Sequence, residues 1–126
     1  MEIKELSSSL RILAKWCALL SIIIVIYPEI FLVKFGEPPH AMMSYAARLS
    51  AHTHLGCGTF LLFIIGFIFT YSPFDRAKKI WPTIGAIFLI IMTLGGFFGA
   101  IPMLLIGSVV FSISIIVMAV GIIGWV

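Results

Sequence analysis

Charged side chains are scarce in this sequence: only 10% of its 126 residues are Asp, Glu, Lys or Arg, against about 25% in soluble domains. None follows Lys79, so Ile80 to Val126 is a run of 47 residues without a formal charge. No water-facing surface can be built from such a run. With 62% hydrophobic residues and a mean hydropathy of +1.23, the solvent that suits the chain is a lipid bilayer. Cysteine is scarce too. Cys17 and Cys57 are the only two, they fall at different membrane depths, and both are expected to be free thiols. Despite a net charge of +3, the bases sit at helix ends without a continuous basic face, which excludes nucleic acid as the expected partner.

Each membrane span takes roughly 20 apolar residues, so the chain has room for four. The predicted fold class is all-α: a single membrane domain, 1–126, of four transmembrane helices in an antiparallel bundle, at about 16–33, 41–71, 80–98 and 103–126. Pro38-Pro39 ends the first connection, because proline cannot continue a helix. Ser72 to Lys79 forms a polar loop, and Gly99-Ala100-Ile101-Pro102 the last turn.

The cations set the orientation. Lys4, Arg11 and Lys15 precede helix 1, and Arg76, Lys78 and Lys79 separate helices 2 and 3, against Lys34 and Arg48 on the other side. By the positive-inside rule both termini are cytoplasmic, in a multi-pass protein expected in a bacterial or archaeal plasma membrane. The first apolar run exceeds the usual core of a secretory signal and lacks an A-x-A site, so it reads as a retained span.

Nearly all chemistry-bearing side chains then gather at the outer side: Tyr27, Glu29, Lys34, His40, Tyr45, Arg48, His52, His54 and Cys57. Ionisable groups at membrane depth are costly and suggest function. The centre is Ser50-Ala51-His52-Thr53-His54-Leu55-Gly56-Cys57-Gly58. Residues two apart on a helix point about 200° apart, so His52 and His54 face different neighbours. They lack the i, i+4 spacing of a two-histidine metal helix.

These residues fit haem b. A helix imidazole can ligate iron axially, and Gly56 lets a flat group approach the backbone. Arg48 on the His52 face supplies a cation for a propionate. His52 is therefore the first candidate iron ligand and His54 the alternative, with Glu29, Tyr45 and Cys57 as supporting residues around it, Glu29 as the acceptor that could orient the imidazole. Copper, held by a set drawn from His40, His52 and His54, is the alternative cofactor. Packing is a competing role for each histidine and for Cys57. The small residues Gly95, Gly99, Gly107, Ser108, Ser112 and Ser114 read as helix-packing surfaces, and a homo-oligomer is expected.

Ala51-His52-Thr53-His54 resembles the A-H-x-H stretch of haem-copper oxidases, whose two histidines serve different haems. More of the chain is similar to the styrene oxide isomerases: Ala46-Ala47-Arg48, Ala51-His52 and Phe74-Asp75-Arg76-Ala77-Lys78, together with the span count and short loops. That resemblance implies a trimer, haem b near subunit interfaces with His52 on the iron, and isomerisation of a small apolar epoxide with ferric iron as Lewis acid. The polar pocket of those isomerases is reduced here to Cys57, Thr59 and Thr93, so haem binding is implied more directly than the reaction. Two other functions fit the composition. One is a non-catalytic accessory subunit of a larger membrane oxidoreductase or monooxygenase. The other is a small multidrug-type transporter using Glu29 as its carboxylate.

Overall fold

The computed structural model describes residues 7–27 and 42–125, with side-chain placement for 7–26 and 49–124. Four helices account for nearly all of it: α1 (Ser8–Tyr27), α2 (Met42–Phe69), α3 (Ala77–Phe98) and α4 (Ile101–Trp125). Each is long and apolar enough to span a membrane, over Ser8–Ile26, Leu49–Phe69, Ala77–Phe98 and Ile101–Gly124. The chain is thus an all-helical protein of the multi-pass membrane type.

The helix ends differ from those expected from the sequence, 16 for the start of the first and 71 for the end of the second, for local reasons. α1 begins well before Trp16 because Ser7 caps it: the Leu10 amide donates to Ser7 Oγ at 3.3 Å and the Arg11 amide to the Ser7 carbonyl at 3.0 Å. A side-chain oxygen of this kind satisfies a donor that has no intrahelical partner. Arg11 and Lys15 are exposed within the helix, so helix and hydrocarbon span need not start together. α2 ends at Phe69. The Tyr71 and Ser72 amides then close tighter turns onto Ile68 and Phe69, and Thr70 Oγ1 donates to the Phe67 carbonyl at 2.6 Å.

Only Gly99 and Ala100 separate α3 from α4. Gly99 has φ +67°, a left-handed conformation that is costly for any residue with a Cβ, and the Ala100 amide returns to the Gly95 carbonyl at 2.8 Å. This glycine C-cap stops α3 and lets α4 start at once. Ile101 and Pro102 therefore belong to α4 rather than to the turn, since proline is tolerated in a first turn.

The core repeats by sevens. Leu13 and Leu20 on α1, Leu55, Leu62 and Phe69 on α2, and Phe111 and Met118 on α4 are all buried, with Ala86, Leu89 and Met92 of α3 among them. A 3.5-residue repeat lets near-parallel helix axes stay in contact over many turns. α3 packs on each of the other three helices, most extensively on α4. That closeness depends on glycine. A Cβ on Gly95 would fall 2.5 Å from the Leu104 nitrogen, and one on Gly107 would fall 2.5 Å from the Met92 nitrogen. Both clashes are with backbone, which cannot rotate away.

Large apolar side chains face outward along all four helices. Val25 is 72% exposed, Ile123 75% and Phe60 67%, an arrangement stable only where hydrocarbon replaces water. At the end carrying the α2–α3 loop, Trp16, Tyr71 and Trp81 supply the amphipathic aromatics that favour the membrane interface. α1 reaches that end too: Trp16 Nε1 donates to Thr83 Oγ1 on α3 at 3.1 Å, and Leu13 fills the space beside Gly66 of α2.

Candidate functional site

Position on α2 decides what each histidine can meet. Gly66, two heptads beyond His52, is the contact for Leu13 of α1, and Thr59 lies between them on the same stripe, so the His52 face turns toward α1. Gly58, one turn beyond His54, packs beneath Leu89 of α3 and Phe111 of α4. The His54 face therefore turns toward the α3–α4 pair. The two imidazoles serve different sides of the helix, as their spacing predicts. His52 is half-buried and His54 exposed.

A crevice of about 280 Å³ opens where α2, α3 and α4 meet, and His54 lines it together with Ser50, Ala51, Met92, Gly96 and Ser108. Leu104 and Leu105 close it from α4. Its walls are small and mostly apolar, and the hydroxyls of Ser50 and Ser108 are its only polar side chains besides the imidazole. His52 is not part of the lining.

The protonation pattern of His54 follows from its partner. Its Nδ1 lies 2.7 Å from the backbone carbonyl oxygen of Ser50. A carbonyl can only accept, so Nδ1 carries the hydrogen. The neutral ring then has its lone pair on Nε2. This hydrogen bond also fixes the ring's orientation, the arrangement that prepares a histidine to ligate a metal through Nε2. Ser50 Oγ lies 3.2 Å from the same Nδ1.

The other polar groups expected nearby are disposed differently. Thr59 and Thr93 are buried, and their hydroxyls donate to carbonyls of their own helices, to Leu55 at 2.8 Å and to Leu89 at 2.9 Å. Their donor hydrogens are used within the bundle, and neither residue lines the crevice. Cys57 is an exposed free thiol and Cys17 a half-buried one. Gly56 is half-buried and has nothing within 4 Å of where a Cβ would stand. Tyr45 and Arg48 lie on the first turns of α2, but their side chains are outside the described residues, as are Glu29, Lys34 and His40. Among the described residues no three His, Cys, Asp or Glu side chains converge as a metal cluster would require.

Sequence reading missed Met92 and Ser108 as lining residues. Met92 carries no polar signal, and Ser108 follows Gly107 in what reads as a packing stripe. The available clue was the heptad spacing, which turns the positions beside Gly95 and Gly107 toward α2.

Comparison with protein-family models, with curated proteins and with solved structures finds no match for the chain.

Proposed function

We propose that the chain is a small integral membrane protein that holds haem b through an imidazole of α2, with His54 as the ligand favoured over His52. The observation that carries this reading is the Nδ1 to Ser50 carbonyl hydrogen bond at 2.7 Å, which leaves Nε2 as the donor atom on a residue lining the α2–α3–α4 crevice. In the same reading the spans form an antiparallel bundle with cytoplasmic termini in a bacterial or archaeal plasma membrane.

The residues present suit the group. One axial imidazole suffices for a haem, whereas copper would need further donors, of which His40 lies outside the described residues. Ser50, Ala51, Gly96 and Ser108 offer small side chains against which a flat ring can lie. At about 280 Å³ the crevice is near the lower limit of sites for small molecules, about 300 Å³, so it suits part of a porphyrin, with the remainder meeting lipid or a second copy. A homo-oligomer, trimeric by the isomerase resemblance, would complete the enclosure. Arg48 on the first turns of α2 is the proposed partner of a propionate.

Bound ferric haem supplies a Lewis-acid centre, which in this reading would act on a small apolar epoxide. The chain's own part is to orient the imidazole through the Ser50 carbonyl, keep water out with Met92, Leu104 and Leu105, and present the Ser50 and Ser108 hydroxyls to an oxygen of the substrate. An apolar substrate would enter from the bilayer.

Absorption spectra of detergent-purified protein, oxidised and reduced, with a pyridine haemochrome assay, test the reading. A stoichiometric b-type spectrum is the expected result. A colourless, iron-free preparation that regains no spectrum with added hemin would overturn it in favour of an accessory subunit.

A further inference from the structure

From the end of the bundle that carries the α2–α3 loop we infer a second site, independent of the His54 crevice: a seat for one anionic phospholipid at the seam between α1 and α3. A groove runs along α1 there, lined by Ile12, Lys15, Trp16 and Leu19. It offers apolar side chains along its length and an ammonium group beside them, the pattern of an acyl chain joined to a negatively charged head.

Trp16 ties this groove to α3. Its indole N–H donates to Thr83 Oγ1 at 3.1 Å, and that hydroxyl donates to the Lys79 carbonyl at 3.1 Å. The chain of two hydrogen bonds fixes the indole across the seam, one turn from Lys79. Lys15 adjoins Trp16 on α1, and Lys79 stands one turn before Thr83 on α3, so each of the two helices tied by this hydrogen bond carries an exposed cation near it in sequence.

Charge selects the head group. Arg11, Lys15, Arg76, Lys78 and Lys79 share this end of the bundle, and Asp75 is the only carboxylate among the described residues. Asp75 is already engaged by Lys78, Nζ to Oδ1 2.9 Å. In this assignment a negative lipid phosphate is the counter-charge of Lys15 and Lys79. Each lysine near an anionic surface contributes enough to change affinity roughly fivefold. A bilayer lipid fits better than a soluble anion because Ile12, Trp16 and Leu19 make most of the seat apolar.

The test uses the full chain with Trp81→Phe and Trp125→Phe, reconstituted in phosphatidylcholine bilayers, so that fluorescence reports Trp16 alone. Brominated phosphatidylglycerol is expected to quench Trp16 with a several-fold higher relative affinity than brominated phosphatidylcholine. Lys15→Gln with Lys79→Gln should bring that ratio close to one, and inorganic phosphate should not compete. Equal quenching by both lipids in the lysine-containing protein, or a ratio unchanged by the double substitution, would overturn the assignment. Competition by phosphate would replace the lipid with a free anion. If the tryptophan variants do not fold, lipid analysis of the unsubstituted protein in detergent decides. The site predicts retained anionic lipid that the lysine double variant loses, and equal retention by both would refute it.

Discussion

The imidazole Nδ1 of His54 and the carbonyl oxygen of Ser50 lie 2.7 Å apart, one turn along the same helix. Because the acceptor is main chain, no substitution at position 50 short of unwinding α2 can remove it. The ring is therefore oriented by the fold, while His52, two residues away, belongs to the face turned toward α1. The two histidines consequently make different predictions.

His54→Ala is expected to lower haem retention by about tenfold or more, at least the effect of losing an orienting partner of a metal ligand. His52→Ala should leave most haem bound. Soret absorbance per protein after detergent purification distinguishes them, and the opposite ranking would transfer ligation to His52.

Close approach of α3 and α4 rests on hydrogen in place of methyl. Gly107→Ala should destabilise the bundle by about 1–3 kcal/mol through overpacking, because the added carbon meets Met92 backbone at 2.5 and 2.7 Å. Gly56→Ala meets nothing within 4 Å and should be neutral or stabilising by up to about 1 kcal/mol through helix propensity. Denaturation of the two variants in mixed detergent micelles is the comparison; equal losses would contradict the packing.

Met118 and Leu20 are fully buried, on α4 and α1 respectively. Alanine at either should cost about 2–5 kcal/mol. The same change at Ile123, 75% exposed, should cost far less, since its side chain faces hydrocarbon in the assembled protein and in separated helices alike. Unfolding of the three variants in one detergent system measures the contrast.

Lys78 holds the Asp75 carboxyl below its ordinary range, first by a hydrogen bond and then by its charge, with a smaller contribution from Lys79. A carboxyl whose folded pKa is lowered adds stability above its unfolded value, about 3.9, and loses it as pH falls through the folded value. Asp75 is fully exposed, so the effect is small. Asp75→Asn should remove this acid-range dependence while leaving the rest of the pH profile between 3 and 7 unchanged, as unfolding at stepped pH would show.

Chain composition alone determined the class of the protein. A 47-residue stretch without formal charge has one compatible solvent, and backbone hydrogen bonding in that solvent requires helices or a closed barrel, of which apolar runs of about 20 residues select helices; the turn before Ala77 and the turn at Gly99 follow from residues that interrupt apolar helix. The opposed directions of His52 and His54 were legible as well, because they are set by helical pitch. Tertiary structure decided what each direction meets. Whether an imidazole meets α1 or the α3–α4 pair depends on how α2 is rotated in the bundle, and that rotation is set by contacts between distant residues, Gly66 with Leu13 and Gly58 with Leu89 and Phe111. The same contacts bring Met92 and Ser108 beside His54 and turn the hydroxyls of Thr59 and Thr93 back to their own helices. No local pattern encodes these pairings, since in a bilayer nearly every face is apolar and hydrophobicity alone does not mark which face is inward.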